Sequence, residues 1–205
     1  MDEIRASVIR NVCVYCGSSE GTDPAFVTAA HALGREIVAA GARLVYGGGK
    51  GGLMGAVARS VLDHGGHVTG IIPDFLRDRE LMLEEAQDLR VVPDMHARKR
   101  LMFDAADAFV ALPGGVGTLE ELVEQLTWVQ LQRHRKPVLI ADIAGFWRPL
   151  LALFEHMREK GFIRSDIEVS YLVAERVADI MPMLAAAASK AQREGQVSER
   201  LDANL

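Results

Sequence analysis

Several features that would assign this chain to a specialised class of protein are missing. No stretch approaches the roughly 20 apolar residues that span a bilayer, and residues 1–10 contain no apolar signal-peptide core. No long run of lysine and arginine occurs, and the formal net charge is −5. The chain therefore has no electrostatic footprint for nucleic acid. We expect a soluble cytoplasmic protein that binds neither nucleic acids nor membranes.

Cysteine is also scarce. The two cysteines, Cys13 and Cys16, form a C-x-x-C motif, which is typical of redox and zinc sites. No second cysteine pair or histidine cluster is present to complete a zinc site. Cys13 falls on the first predicted strand and Cys16 directly follows it, and in an extended chain their odd spacing sends the side chains to opposite faces. We therefore expect two structural thiols and no metal site.

Apolar runs rich in valine and isoleucine alternate with longer helical patterns along the 205 residues. Such alternation predicts βαβ units in a doubly wound α/β fold, with a mostly parallel sheet and helices on both faces. The predicted strands are 11–15, 43–46, 67–72, 89–92, 108–112 and 137–141. We expect a single domain over 1–205, with its core at about 11–193 and a frayed tail at 194–205.

The stretch LPGGVGTLEE at 112–121 joins the fifth predicted strand to a helix. Pro113 prevents a further ladder hydrogen bond, while three glycines allow positive φ and close approach to a ligand. The first amides of a helix lack partners, and the helix dipole adds positive charge. This turn is therefore a candidate anion-binding site.

The same turn has a purely structural interpretation. Thr118 and Glu121 fit the capping box S/T-x-x-E, in which each side chain accepts a hydrogen bond from the other residue's amide. In that case Glu121 only caps the helix. The motif by itself leaves both interpretations open.

A second glycine-rich loop follows the second predicted strand, with six glycines among the nine residues 47–55. It matches G-x-G-x-x-G formally but follows the second strand, and Lys50 precedes Gly51 where a Walker A loop has serine or threonine. We interpret it as a second candidate anion-binding loop that approaches a phosphate, sugar or base. The alternative is a tight turn that needs positive φ. The charged segment 73–85 is either a flap over the site or solvated chain.

A helix predicted to begin after Asp94 carries Arg98 on the apolar stripe formed with Leu101 and Met102. A charge run such as 98–100 is more often a solvated face. Sequential strands are usually neighbours, however, so this helix should bring Arg98 into one pocket with the 112–121 turn. An arginine on an apolar stripe requires an anion. We interpret His96, at the same helix start, as structural.

Two motifs at this separation, MHARK at 95–99 and PGGVGTLEE at 113–121, resemble the M-H-x-R-K and PGGxGTxxE signatures of the LOG ("lonely guy") family. The resemblance extends to CGSS at 16–19, YGGG at 46–49 and Thr127-Trp128. It implies a Rossmann-like fold and a homodimer with sites near the interface. It also implies hydrolysis of cytokinin riboside 5′-monophosphates, AMP or N6-prenylated AMP, to free base and ribose 5-phosphate.

The resemblance implies roles for individual residues. Arg98 and Glu121 are the catalytic pair. Substrate contacts are Gly17, Ser18, Gly48, Gly49, Glu80, Lys99, Gly114, Gly115, Val116, Gly117, Thr118, Leu119, Glu120 and Thr127. Position 116, often aromatic in plant members, is valine here.

N-glycoside cleavage passes through an oxocarbenium-like state, which a carboxylate stabilises directly or by activating water. The helix start and Arg98 favour the ionised form of Glu121, so we expect a base or electrostatic stabiliser rather than a general acid. Arg98 either holds the phosphate or polarises the water or the leaving base. This chemistry requires no cofactor.

Two other functions are compatible with the resemblance. Members of the family are often labelled lysine decarboxylases, which would require Lys50 or Lys99 to form a Schiff base with pyridoxal phosphate. Neither lysine comes with a clear partner for the pyridinium nitrogen. A non-catalytic nucleotide-binding or carrier protein of the same fold is the second alternative, because fold does not determine function.

Overall fold

The structure is a computed structural model that describes the backbone of residues 9–80, 82–163 and 170–202. It describes the side chains of the same residues except those at 78–80 and 195–202. Seven strands lie in this part: β1 (Asn11–Tyr15), β2 (Arg43–Tyr46), β3 (Val68–Pro73), β4 (Asp88–Val92), β5 (Ala108–Ala111), β6 (Val138–Ala141) and β7 (Leu172–Ala174). The helices are α1 (Pro24–Ala39), α2 (Gly52–Asp63), α3 (Asp74–Glu80), α4 (Met95–Ala105), α5 (Val116–Gln130), α6 (Arg148–Glu159) and α7 (Val177–Asp202). None of these helices is long and apolar enough to cross a membrane.

The seven strands form one sheet in the order β4-β3-β2-β1-β5-β6-β7, and every neighbouring pair is parallel. One face packs against α1, α2 and α7, and the other against α4, α5 and α6. The predicted doubly wound α/β fold is confirmed. The strand order reverses at β1, which has β2 on one side and β5 on the other. Ligands bind at such switch points in open parallel sheets.

Aspartate side chains cap two of the helices, and the start predicted after Asp94 is confirmed. Asp23 caps α1 by accepting a hydrogen bond of 2.8 Å from the Ala25 amide, and Pro24 occupies the first turn. Asp94 caps α4 in the same way, accepting from the Ala97 amide at 2.8 Å. The second cap fixes where α4 begins and therefore where its first turns project.

Three elements differ from the sequence prediction. The segment predicted as an irregular connector contains α3, and a seventh strand, β7, was not predicted because it has only three residues. Helix α7 continues to Asp202, into the tail predicted at 194–205, since the added residues include good helix formers. Fraying of this last part stays a prediction.

The path of α4 corrects one argument from the sequence. β4 lies at the edge of the sheet and is separated from β5 by β3, β2 and β1, so these sequential strands are not neighbours. Helix α4 instead crosses back over the sheet and contacts β1, β2 and β3. Arg98 therefore reaches the switch point through the helix crossing and not through strand adjacency.

His134 makes the fold sensitive to acid. Its ring lies against Phe103 and Phe109, and burial, followed by the charge of Lys136, lowers the pKa of His134 from 6.5 to about 4. The folded chain therefore keeps His134 neutral over a range in which the unfolded chain binds a proton. Above pH 6.5 His134 is neutral in both the folded and the unfolded chain, so its titration does not change the free energy of unfolding. As the pH falls from 6.5 to about 4, the unfolded chain gains a proton that the folded chain does not, and the free energy of unfolding decreases.

We expect His134→Gln, which does not titrate, to lose less stability than the unmodified chain over that pH range. Urea unfolding at a series of pH values measures this, with His156→Gln as the control because His156 is exposed on α6. An unchanged slope of stability against pH in His134→Gln would contradict the assignment.

Candidate active site

A cavity of about 290 Å³, here called the central cavity, lies at the carboxyl ends of β1 and β2. It is closed by the beginnings of α2, α4 and α5. Its lining is Val14, Tyr15, Cys16, Gly17, Ser18, Gly47, Met54, Met95, Arg98, Met102, Gly115, Val116, Gly117, Thr118, Glu120 and Glu121. Arg98 and the 112–121 turn therefore share one pocket, as predicted, at the strand switch point.

The start of α5 forms one wall of the central cavity. Gly115 is the N-cap and makes no side-chain capping bond, and the helix begins at Val116. No hydrogen bond within the described part of the chain uses the amides of Val116, Gly117 and Thr118. These three N–H groups at a helix N-terminus fit an anion.

The glycines of this turn act through close approach and not through positive φ. Gly114, Gly115 and Gly117 all lie outside the positive-φ region, which corrects that part of the prediction. A Cβ at Gly114 would lie 2.2 Å from Thr118 Oγ1, while Cβ atoms at Gly115 and Gly117 would meet no atom within 4 Å. The last two glycines keep the cavity wall free of side chains.

The capping-box interpretation of Glu121 is wrong. Helix α5 begins before Thr118, so Thr118 lies within the first turn and Glu121 in the second. Both side chains are buried, and both line the central cavity. The Glu121 carboxylate therefore belongs to the cavity lining and does not cap the helix.

Arg98 is a buried cation beside the same cavity, with only 6% of its surface exposed. Its Nη2 donates to the Gly47 carbonyl at 3.2 Å, and its Nη1 contacts Met95 Sδ at 3.8 Å. Neither partner carries charge, and Nε has no hydrogen-bond partner among the described residues. Burying an arginine with a free N–H is costly without an anion. This environment is therefore suited to a negatively charged ligand.

The two cysteines lie on opposite faces of the sheet, as predicted, with Cys13 in the α4–α6 core and Cys16 in the α1–α2 core. Burial raises the pKa of both thiols, and the charge of Glu121 raises it further while Arg98 opposes it. Cys16 also lines the central cavity, but as a neutral thiol. Among the described residues, no group of His, Cys, Asp and Glu could hold a metal ion.

The end of the second glycine-rich loop is occupied by the chain itself. The Gly17 carbonyl accepts hydrogen bonds from the Leu53 and Met54 amides, so these amides at the start of α2 are not free for an anion. Gly48 and Gly52 have positive φ, as the tight-turn interpretation required. These two amides therefore bind the chain itself, while anion binding by the rest of the loop stays a prediction.

Two other glycines of the loop are needed for close packing. A Cβ at Gly47 would lie 2.1 Å from Arg98 Nη2, and one at Gly55 would lie 1.9 Å from the Lys50 carbonyl oxygen. Positive φ and close packing together account for four of the six glycines. Gly47 is also the one that lines the central cavity.

Several predicted contacts do not line the cavity. Lys99 Nζ is bound to Glu120 at 2.6 Å and to Glu124 at 3.0 Å. Burial lowers the pKa of Lys99, but the hydrogen bonds to the two glutamates outweigh it and the net shift is upward. Also outside the lining are Gly48, Gly49, Gly114, Leu119 and Thr127, and the side chain of Glu80 lies outside the described residues.

The structure adds cavity residues that sequence reasoning missed. Three methionines, Met54, Met95 and Met102, come together from α2 and α4 and give the cavity an apolar, adaptable wall. Tyr15 and Cys16 join them from the end of β1. Met95 lies inside the MHARK motif, whereas the apolar side chains of the other two carried no signal that separates cavity from core.

Comparison with known proteins gives close relatives by sequence. A family model described as "Possible lysine decarboxylase" matches residues 54–184. The cytokinin riboside 5′-monophosphate phosphoribohydrolase LOG of Oryza sativa subsp. japonica is 49% identical over 162 residues, covering 79% of this chain and 67% of that protein. The cytokinin riboside 5′-monophosphate phosphoribohydrolase LOG3 of Arabidopsis thaliana is 48% identical over 162 residues, covering 79% of this chain and 75% of that protein.

Solved structures with the same fold are more distant in sequence. The molybdenum cofactor carrier protein of Chlamydomonas reinhardtii superposes with a TM-score of 0.66 at 20% identity, covering 89% of this chain and 99% of that one. The molybdenum cofactor binding protein of Rippkaea orientalis gives 0.64 at 19% identity, covering 90% and 98%. At these identities the likeness concerns the fold alone.

The family model covers more than half of the chain, and the two plant relatives are 49% and 48% identical to it over 79% of its length. On these grounds the chain belongs to the LOG family, whose model carries the description "Possible lysine decarboxylase" and whose relatives are named cytokinin riboside 5′-monophosphate phosphoribohydrolases.

Proposed function

We propose that this protein hydrolyses the N-glycosidic bond of cytokinin riboside 5′-monophosphates and related nucleoside 5′-monophosphates. The products are the free base and ribose 5-phosphate. One observation carries the proposal: a buried carboxylate, Glu121, lines the same cavity as a buried arginine, Arg98, and the open amides at the start of α5. The activity named for the plant relatives agrees with this arrangement.

The phosphate of the substrate would bind at the start of α5. The amides of Val116, Gly117 and Thr118 supply donors, and the helix dipole adds partial positive charge. Arg98 supplies the full positive charge, since its Nε is buried without a partner among the described residues. Because Gly115 and Gly117 have no side chain, an anion can come close to the backbone.

Glu121 would act on the ribose. As the bond between C1′ and the base nitrogen breaks, its electrons go to the base and positive charge grows on the sugar. The ionised carboxylate stabilises this charge or removes a proton from the water whose oxygen bonds to C1′. The leaving base takes up a proton, so atoms and charge balance without a cofactor.

A pyridoxal phosphate decarboxylase is less consistent with this cavity. Neither lysine proposed for the Schiff base lines it, since Lys50 is exposed in the glycine-rich loop and Lys99 is engaged by two glutamates. An absorbance band of bound pyridoxal phosphate in the purified protein would support the decarboxylase after all.

A non-catalytic carrier is the alternative from a different class. The solved structures named as molybdenum cofactor carriers share the fold, at 19–20% identity. A carrier needs the anion-binding helix start but has no need of a buried carboxylate opposite it. The two functions therefore differ in what Glu121 does.

The test is a chromatographic assay of the purified protein with AMP and with isopentenyladenosine monophosphate. We expect free base and ribose 5-phosphate in equal amounts, and the ratio of rates ranks the two bases. Binding of both nucleotides without base release would favour the carrier.

We further propose a homodimer in the cytoplasm. The resemblance to the LOG family suggests the dimer, and an apolar stripe on α5 supports it, since Val116, Val123 and Leu131 are exposed along one side of the helix and its end. Light scattering of the purified protein measures the mass in solution, where a monomer of 22.4 kDa would contradict the dimer. Cell fractionation tests the location.

A further inference from the structure

One ion-pair network connects the two helices that carry the proposed catalytic pair. Lys99 follows Arg98 on α4, and its ammonium group binds Glu120 and Glu124 on α5. Glu120 in turn precedes Glu121. Each member of the proposed catalytic pair is thus the immediate neighbour of a residue in this network, here called the α4–α5 bridge.

The bridge is partly buried on the lysine side, where only 11% of the Lys99 side chain is exposed. Glu120 and Glu124 are one helical turn apart, so both carboxylates project from the same side of α5. Glu120 is 52% exposed, whereas Glu124 is only 22% exposed. Exposed ion pairs contribute little, so the bond between Lys99 and Glu124 is the stronger link between the helices.

We propose that Lys99 and Glu124 are positioning residues, which tie the second turn of α4 to the third turn of α5 and thereby keep Arg98 and Glu121 at their working positions in the central cavity. This inference rests on the proposed hydrolase function. It assigns Lys99 to the bridge rather than to the substrate, and it gives a role to Glu124, which lies outside both sequence motifs.

The alternative is that Lys99 contacts the substrate directly, as the family resemblance implies. The two roles predict opposite effects of removing the Glu124 charge. If Lys99 is a bridge residue, Glu124→Gln loosens α4 against α5 and lowers turnover. If Lys99 is a phosphate ligand, Glu124→Gln releases its ammonium group from a competing carboxylate and strengthens substrate binding.

We expect Glu124→Gln to lower kcat by about ten- to hundredfold with little change in KM, because small displacements of catalytic groups have effects of this size. Lys99→Met should behave alike, and the double variant should lose no more than either single variant, since both remove one interaction. The control is Glu155→Gln, which removes an exposed ion pair with Arg158 on α6, and it should match the unmodified chain.

Three outcomes would overturn the inference. One is a lower KM in Glu124→Gln together with a higher KM in Lys99→Met, which would make Lys99 a phosphate ligand. Another is a lower melting temperature with unchanged kcat well below unfolding, which would make the bridge merely stabilising. The third is full additivity of the two substitutions.

If the proposed function is wrong, the unmodified chain releases no base, which distinguishes that result from a failure of the bridge. Hydrogen exchange followed by mass spectrometry then decides the inference without any turnover. Glu124→Gln should speed exchange at the hydrogen-bonded amides of α4 and of residues 119–124 in α5, and Glu155→Gln should not. Unchanged exchange in Glu124→Gln would contradict the bridge.

Discussion

Replacing Glu121 with glutamine should nearly abolish base release while leaving the protein folded. Removing a general base or a charge-stabilising carboxylate lowers turnover by about 10²–10⁴-fold. Glutamine has almost the same size, so it fits the buried position without creating a cavity. Nucleotide affinity should be retained, because the proposed phosphate donors lie on the first turn of α5 and on Arg98.

The assay of free base and ribose 5-phosphate measures the effect, with calorimetry of AMP binding beside it. Glu36→Gln is the matched control, since it makes the same change on α1, on the other face of the sheet. Turnover that survives in Glu121→Gln would remove Glu121 from the mechanism. Lost binding together with lost turnover would point instead to a ligand contact.

The strands and helix starts could be predicted from the sequence because their signals are local. A run of β-branched residues predicts a buried strand, and an aspartate followed by proline predicts the first turn of α1. β7 lacks such a signal, because a three-residue strand with partly exposed side chains does not differ in pattern from a loop. α3 was missed because its charged sequence resembles solvated chain.

The candidate site depended on contacts between distant parts of the chain, and these are absent from any local pattern. Arg98 and Glu121 were predicted to share a pocket, but from strands that turned out to lie far apart in the sheet. The crossing of α4 over β1 to β3 is what joins them. The capping-box interpretation would start α5 too late, because Gly115 caps the helix without any side-chain bond, whereas Thr118 offered a familiar capping signal.

The glycine-rich loop at 47–55 is a second case in which the local sequence could not identify the contact. Its composition predicts close approach, but composition does not say whether the neighbour is a ligand or the chain itself. The Gly17 carbonyl occupies two amides at the start of α2, and the Arg98 guanidinium lies against Gly47. By contrast, no hydrogen bond among the described residues uses the first three amides of α5.

Replacing Arg98 with methionine should weaken AMP binding by about ten- to hundredfold, the usual worth of hydrogen bonds to a charged group. Adenosine binding should hardly change. The reason is electrostatic: water and the base are neutral, whereas the phosphate is the substrate's full anion, and a buried cation gains most from a full anion. Methionine fills similar space, and the bond lost to the Gly47 carbonyl is offset by removing a buried charge.

Calorimetry with AMP and adenosine decides between the two roles that the sequence left open for Arg98. Equal loss of both ligands, or lost turnover with unchanged AMP affinity, would assign Arg98 to the water or the leaving base instead of the phosphate. Arg98→Lys is the companion variant. It keeps the charge but lacks the planar guanidinium, whose Nη2 donates to the Gly47 carbonyl while Nε has no partner among the described residues. If phosphate binding needs charge alone, this variant recovers most of the AMP affinity. If it needs the fork as well, lysine and methionine at position 98 bind AMP equally poorly, and the geometry set by Gly47 becomes part of the phosphate site.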